Sequence, residues 1–225
     1  MSISLFIAPH ADDEVLGCGG TISKLVEKGE TVYVAIMTNA NIGAPELFSE
    51  EAINLVREES KLAHKLLGVK ETYYFDFPAP MLEQYPQYKI AGKIYDLIKE
   101  LMPKTVYIPH RNDLHLDHGV IFNAALVAIR PQKECSVEKI LSYETLSETE
   151  WGHPYQDAAF VPNYYEKLTE IHLKKKTDAM SAYKSQLNDF PHPRSLKSIE
   201  YLAHLRGSFI GVNAAEAFYL NRLIL

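Results

Sequence analysis

The chain has 225 residues, of which 47% are hydrophobic, and a formal net charge of -6 at pH 7. This length and apolar content suit one medium-sized domain, residues 1–225, with enough chain to bury a core. The negative charge and a pI near 5.9 argue against a nucleic-acid partner, which would need a basic face. No apolar run approaches the roughly 20 residues of a membrane span, and no signal-peptide pattern follows Met1, so we expect a cytoplasmic protein without a membrane partner.

Strand-like and helix-like segments alternate along most of the chain. Strands are predicted at residues 3–8, 31–37, 72–75, 105–109, 137–144 and 158–161. Helices are predicted at residues 19–28, 50–67, 88–101, 117–130, 164–184 and 195–206. This alternation is typical of a parallel sheet with crossover helices, and it predicts an α/β, Rossmann-like, doubly wound and mainly parallel sheet.

The first motif of chemical interest follows the strand at 3–8. Residues 8–14 read APHADDE, which places one imidazole and three carboxylates on the loop that leaves the strand. In an open α/β sheet, ligands bind at this carboxyl edge. Clustered charges are rarely buried without a partner, and a divalent metal is the simplest partner here. His10 and Asp13, three residues apart on a tight turn, can reach such a cation from one side.

A second motif, DLHLDH at residues 113–118, follows the strand predicted at 105–109. His115 and His118 are three residues apart and share a face on a helical first turn. Two histidines and one carboxylate with an open position form the usual catalytic zinc set, which His10, Asp13 and His118 would supply. The remaining acids and His115 would then be free for proton transfer and charge stabilisation.

The glycines at positions 17, 19 and 20 invite comparison with nucleotide-binding loops. Their spacing is not Gly-x-Gly-x-x-Gly, and no Gly-Lys-Ser/Thr follows them. The acids of the preceding loop would also repel a pyrophosphate. We therefore interpret these glycines as permitting a tight turn and the close approach of a helix.

On these two motifs, the chain resembles the PIG-L/LmbE-like zinc-dependent N-acetylglucosaminyl deacetylases. Residues 9–14 resemble their Pro-His-Pro-Asp-Asp-Glu signature, with Ala11 at the usual second proline, and residues 115–118 resemble their His-x-Asp-His signature. The helix at 57–68 and the tail at 206–218 are similar to further family stretches. Residues 176–195 resemble the bacterial branch that deacetylates GlcNAc-malate, a precursor in bacillithiol biosynthesis.

The resemblance implies that His10, Asp13 and His118 bind Zn²⁺, the same set that the chemistry favours; Fe²⁺ is an alternative occupant of these ligands. It further implies that Asp12 is the general base, which takes a proton from the activated water and passes it to the leaving amine. The structural alternative for Asp12 is a helix-capping acid.

The resemblance also implies that His115, as an imidazolium, stabilises the tetrahedral oxyanion. Asp117 would hydrogen-bond to His115 and hold its orientation and charge, or cap the helix that follows, or do both. Glu14 either supports the metal ligands from behind or caps the next helix.

Five residues are candidate substrate contacts. Arg57 resembles a family arginine near the substrate, with a surface ion pair as the alternative. Asp113 is expected to line the pocket. His192 and Arg194 would contact an anionic aglycone or belong to a structural loop. Trp151 would stack on a sugar ring or pack a loop or subunit contact.

The resemblance implies hydrolysis of an N-acetyl amide on a small amino-sugar derivative, which gives acetate and a free amine. One alternative is a zinc amidase that acts on another N-acylated or nucleotide-linked sugar. The other is a catalytically idle metal- or sugar-binding relative, although Asp12 and His115 are both present. A homo-oligomer is compatible with the sequence.

Overall fold

The computed structural model describes residues 2–132, 135–153, 155 and 158–225. Within these residues, one mixed sheet has the strand order β3-β2-β1-β4-β5-β7-β6. The five strands from β3 to β5 in this order are parallel, whereas β7 is antiparallel to both of its neighbours. The strands are β1 Ile3–Ala8, β2 Thr31–Asn39, β3 Glu71–Pro78, β4 Thr105–Pro109, β5 Lys139–Tyr143, β6 Tyr164–Leu168 and β7 Ala214–Leu223.

Helices cover both faces of the sheet and bury two separate apolar clusters. One cluster packs α4 and α5 against the sheet, with Ile94 and Ile121 buried in it. The other packs α1, α3 and α6 on the opposite face, around Ile22, Ala63 and Ala179. None of the helices described here is both long enough and apolar enough to cross a membrane. The helices are α1 Asp13–Glu27, α2 Ala40–Gly43, α3 Glu50–Leu67, α4 Gln87–Leu101, α5 Leu116–Ala128, α6 Glu170–Met180 and α7 Leu196–Ser208, with a 3₁₀ turn at Leu82–Gln84.

The position of β1 explains where a ligand would bind. The chain builds β2 and β3 on one side of β1 and then returns to place β4 on its other side. This reversal creates a topological switch point, and a crevice forms there outside the carboxyl ends of the strands. The loops that leave β1 and β4 carry the two sequence motifs, so both motifs meet at this crevice.

The predicted helix at 164–184 is wrong in its first turns. Residues Tyr164–Leu168 form β6, which pairs with β7, and α6 begins only at Glu170. Thr169 marks this boundary, because its hydroxyl accepts the backbone N–H of His172 and the His172 side chain in turn accepts the N–H of Thr169. Pairing with a distant strand overrides the helix-forming composition of residues 164–168.

Two other segments also differ from the prediction. Residues 158–161 form no strand; Phe160 instead packs edge-on against His110 and lies under the Arg206 guanidinium. The strand β7 was not predicted, and it completes the antiparallel end of the sheet.

Helix α1 begins at Asp13 rather than at residue 19, and it includes the glycine run. A Cβ at Gly17 would overlap the Tyr143 ring, and one at Gly20 would lie 2.5 Å from Leu168 Cδ1. These glycines therefore allow α1 to approach the sheet closely, as expected from the sequence, but the tight turn expected at the same glycines is wrong because all three lie inside α1. The early start of α1 places Asp12, Asp13 and Glu14 at the helix N-terminus.

Candidate active site

The metal triad, which we define as His10, Asp13 and His118, comes together at the crevice between β1 and β4. The Oδ2 atom of Asp13 lies 3.4 Å from His10 Nδ1 and 3.3 Å from His118 Nε2. Their candidate ligand atoms all lie within 4.8 Å of one another, which is a spacing that one metal ion can bridge. Asp13 and His118 are fully buried, and His10 is partly exposed, so the open side of the triad faces outward.

The donor atoms of the triad fit a divalent cation. Asp13 Oδ1 and His118 Nε2 are buried and make no hydrogen bond within the described part of the chain. Buried polar atoms are normally satisfied, so two unpaired ligand atoms at one point fit the binding of a cation. Two imidazoles and one carboxylate suit Zn²⁺ or Fe²⁺ better than Mg²⁺, which prefers oxygen ligands.

The electrostatics of the triad also favour a positive charge at this point. Burial lowers the pKa of His10, but its contacts with Asp117 and Asp13 outweigh that effect and raise the pKa to about 9. Burial likewise opposes ionisation of Asp13, yet the two histidine rings hold its pKa well below the usual range. The acids therefore stabilise cationic partners here, and a divalent metal is one such partner.

Behind the triad, Asp113 orients His118. Asp113 Oδ2 lies 2.7 Å from His118 Nδ1, and its Oδ1 accepts a hydrogen bond from the Thr149 hydroxyl at 2.6 Å. A carboxylate on the far nitrogen of a ligating histidine fixes the ring and increases its basicity as a ligand. The buried Asp113 thus stands behind a candidate metal ligand, whereas the sequence suggested that it lines the substrate pocket.

Asp12 lies beside the triad with its carboxylate buried. Its φ of 119° falls in the left-handed region, and its side chain makes no capping hydrogen bond, which excludes the capping alternative. The Arg194 guanidinium lies 3.0 Å from Asp12 Oδ2. Burial raises the pKa of Asp12 to about 8 even though Arg194 opposes the shift. A carboxyl group with this pKa can exchange protons near neutral pH.

His115 and Asp117 are arranged differently from the expectation. The N-cap of α5 is His115, whose Nδ1 accepts the backbone N–H of Asp117 at 3.2 Å. The Asp117 carboxylate lies closer to His10 Nε2, at 3.2 Å, than to His115 Nδ1, at 3.8 Å. Burial, reinforced by the neighbouring His10, lowers the pKa of His115 to about 4. The backbone contact and the burial favour a neutral His115 ring with a proton on Nε2 over the imidazolium that the resemblance implies.

Residues 5–129, more than half of the chain, match the PIG-L family, described as GlcNAc-PI de-N-acetylase. The chain belongs to the PIG-L family. The expectation of this family is thus confirmed, and with it the expectation of an enzyme that acts on amide bonds.

Individual PIG-L relatives agree. The chain is 30% identical over 186 residues to the uncharacterized deacetylase YaiS of Escherichia coli, covering 80% of this chain and 90% of YaiS. It is 29% identical over 192 residues to a probable N-acetyl-alpha-D-glucosaminyl L-malate deacetylase 2 of Bacillus cereus, covering 81% and 82% of the two chains. The conserved protein TT1542 of Thermus thermophilus superposes with a TM-score of 0.80 at 24% identity, over 100% and 97% of the chains, which confirms the predicted fold.

Three of the predicted substrate contacts in this PIG-L chain, Trp151, His192 and Arg194, lie together, and Arg194 links them to Asp12. The Trp151 and His192 rings pack edge to face with centroids 6.0 Å apart, and Trp151 is about half exposed. His192 Nδ1 accepts the backbone N–H of Arg194. Arg57 belongs to α3, and its guanidinium pairs with Asp76 of β3 at 2.6 Å and covers the Tyr74 ring, as in its ion-pair alternative.

Sequence reasoning missed Glu148 at this PIG-L site. Its Oε2 accepts the backbone N–H of His115 at 3.2 Å, and its Oε1 lies 3.6 Å from Arg194 Nη2. Glu148 follows β5 by five residues, so its place beyond a strand end was an available signal. The contacts of Glu14 with His64 and Tyr183 were also missed, because 50 and 169 residues separate these partners in sequence. The roles of the site residues, the single domain, the oligomer and the cytoplasmic location stay predictions.

Proposed function

We propose that this chain is a metal-dependent N-deacetylase that hydrolyses the acetamide of an N-acetylglucosamine derivative, such as a GlcNAc-malate. The observation that carries the proposal is a buried Asp12 carboxylate beside the three-ligand metal triad, in a chain of the PIG-L family. The GlcNAc-malate class is proposed because a relative of that name is 29% identical over most of both chains.

His10, Asp13 and His118 would hold the metal, and we propose Zn²⁺, with Fe²⁺ as the alternative. Such a cation supplies a Lewis acid for the acetyl carbonyl and lowers the pKa of water. Asp12 accepts the proton of the attacking water and later donates it to the amine that leaves. Its pKa, raised by burial, suits both directions of this transfer.

His115 would stabilise the oxyanion that forms when water adds to the acetyl carbon. Because its Nδ1 accepts the Asp117 backbone N–H, its Nε2 carries the proton that can be donated. A neutral imidazole donor is effective when it is held in place before the reaction, and the backbone contacts of His115 provide that placement. The proton on Nε2 would then be available to the substrate. A neutral ring would also avoid a second positive charge beside the metal.

The edge-to-face pair of Trp151 and His192 would form one wall of the sugar site. The exposed face of an indole offers an apolar surface on which the C–H face of a pyranose can pack. Arg194 supports this wall through the backbone, while its guanidinium stays with Asp12. An aglycone carboxylate would therefore compete with Asp12 for Arg194 rather than find this side chain free.

The test is acetate release by the purified protein after reconstitution with Zn²⁺ or Fe²⁺. GlcNAc-malate, free N-acetylglucosamine and N-acetylated amines without a sugar would be assayed in parallel, with metal content measured on the same samples. We expect one metal per chain and chelator-sensitive turnover that is fastest on the GlcNAc derivative. Faster turnover of the non-sugar amides would support a general amidase instead. Bound metal without acetate release from any substrate would contradict the proposal.

A further inference from the structure

Glu14 is a fully buried carboxylate next to the site to which the proposed mechanism gives no part. Its Oε2 accepts the backbone N–H of Asp12 at 3.2 Å. Its Oε1 accepts two more hydrogen bonds, from His64 Nε2 at 2.9 Å and from the Tyr183 hydroxyl at 2.6 Å. The carboxylate thus has three donors, of which one belongs to the proposed general base.

The two side-chain partners of Glu14 are themselves fixed. His64 lies in α3 and is 3% exposed, and its Nδ1 contacts the Thr72 hydroxyl of β3 at 2.7 Å. Tyr183 follows α6 and is fully buried. The Glu14 network, which we define as Glu14, His64, Thr72 and Tyr183, therefore links the start of α1 to α3, to β3 and to the turn after α6 through groups that have little freedom to move.

The backbone of Asp12 needs such a restraint. A non-glycine residue with φ of 119° is strained, and it keeps that conformation only if its surroundings hold it there. The hydrogen bond from the Asp12 N–H to Glu14 directly restrains this peptide. The Arg194 guanidinium meets Asp12 at its carboxylate rather than at its backbone, and so it does not fix the same backbone angle.

We propose that Glu14, held by His64 and Tyr183, is a positioning residue that locks the Asp12 backbone so that the general base faces the metal triad. This inference rests on the proposed role of Asp12. The sequence offers two roles for Glu14, support of the metal ligands and capping of the next helix. The proposed role differs from both, because the carboxylate holds the backbone of the general base. A displacement of about 1 Å at a catalytic group can cost roughly 100-fold in rate.

The substitution Glu14→Gln tests the hydrogen bond from the Asp12 N–H directly. The single carbonyl oxygen of glutamine can accept from His64 and Tyr183, but its NH₂ group would then face the Asp12 N–H, donor against donor. His64→Leu removes one support of Glu14, whereas His64→Gln retains a donor near the position of Nε2. Tyr183→Phe removes the other support with almost no change in shape.

A matched control exists at the other end of the same helix. His172 is also buried, and its Nε2 contacts the Glu27 carboxylate of α1 at 2.6 Å. His172→Leu therefore breaks a histidine–glutamate contact on α1, thirteen residues away from Glu14, together with the capping contact that His172 makes at the start of α6. Loss of packing or of α1 stability in general would appear in this variant too.

The first measurement is hydrogen exchange of the Asp12 amide by NMR in the metal-loaded protein, with the amide of the buried Ile22, further along α1, as a reference because the Val15 amide is itself bonded to the Asp12 carbonyl. We expect exchange at Asp12 to become at least about tenfold faster in Glu14→Gln, His64→Leu and Tyr183→Phe, with Ile22 unchanged. His64→Gln and His172→Leu should stay close to the wild type. Equal acceleration along the whole of α1, or none at Asp12, would overturn the proposal.

The second measurement is acetate release with metal content determined on the same samples. The three disruptive variants should lose about 10- to 100-fold in kcat, with KM within about twofold and one metal retained. His64→Gln should recover most of the rate. If Glu14→Gln does not fold, Tyr183→Phe gives the same decision. If the wild type releases no acetate, the proposed function fails, while amide exchange still decides whether Glu14 holds Asp12.

Discussion

At the level of single residues, the chemistry of the site depends on Asp12, so Asp12→Asn should separate metal binding from turnover. Asparagine keeps the size of the side chain and leaves the triad intact, but it cannot take a proton. We expect unchanged metal content and a kcat lower by about 10²- to 10⁴-fold, the usual contribution of a general base. Asp178→Asn, which removes an exposed carboxylate paired with Lys174, is the control and should behave as wild type. Turnover near the wild-type rate in Asp12→Asn would exclude the base assignment.

The contact between Arg194 and Asp12 predicts how the rate depends on pH. Its charge lowers the pKa of Asp12, so its removal should raise that pKa. Because the base must be ionised to accept a proton, Arg194→Gln should move the acidic limb of the kcat/KM profile to higher pH. Profiles of both proteins, recorded from about pH 5 to about pH 9, would measure the shift. A limb that stays in place, or that moves to lower pH, would show that Arg194 does not act on the base.

Single residues also show the limit of reasoning from sequence. His10, Asp13 and His118 each follow a strand end, so the sequence predicts that they lie at the same edge of the sheet. The ion pair between Arg194 and Asp12 was not predictable, because the two residues are far apart along the chain and only the folded loops bring them together. The state of His115 likewise depends on a backbone N–H that becomes available only when α5 begins at Leu116.

At the level of elements, the close contact between α1 and the sheet makes a stability prediction. In Gly17→Ala the new methyl group would overlap the Tyr143 ring and lie 2.9 Å from the Glu144 carbonyl oxygen. We expect the free energy of unfolding to fall by about 1–3 kcal/mol, the usual range for overpacking. Gly92→Ala is the control, because its Cβ meets nothing within 4 Å in the middle of α4. That variant should gain up to about 1 kcal/mol. Urea unfolding with equal m-values would measure both, and a neutral Gly17→Ala would contradict the close approach.

The elements that the sequence predicted poorly share one physical cause. Local composition favours a helix at residues 164–168 and disfavours one at the glycine run of α1, yet tertiary contacts reverse both preferences. Pairing with β7 stabilises β6. In α1, the close contact with Tyr143 and Leu168 leaves no room for a Cβ and so favours glycine. Parallel strands buried on both faces, such as β1 and β4, were predicted well because they are short continuous apolar runs.

At the level of the whole molecule, the site was predictable because it depends on topology rather than on detailed packing. Alternating strands and helices predict a parallel sheet, and a parallel sheet collects its strand ends at one edge. The strand order adds that β1 and β4 are neighbours, which the sequence alone could not establish. With that order, two motifs that are far apart along the chain become one metal site.

This arrangement also predicts that metal binding stabilises the entire fold. The triad joins the start of α1 to α5 across the switch point, and an unfolded chain cannot present these three ligands together. At a free metal concentration about 100 times the Kd, linkage contributes about 2.7 kcal/mol, which for a chain of this size corresponds to roughly 5–11 °C in Tm. Calorimetry with Zn²⁺ and with excess chelator would measure the difference. Asp13→Asn should abolish most of this Tm difference. An equal Tm with Zn²⁺ and with chelator in the wild type would argue against a site built from both motifs.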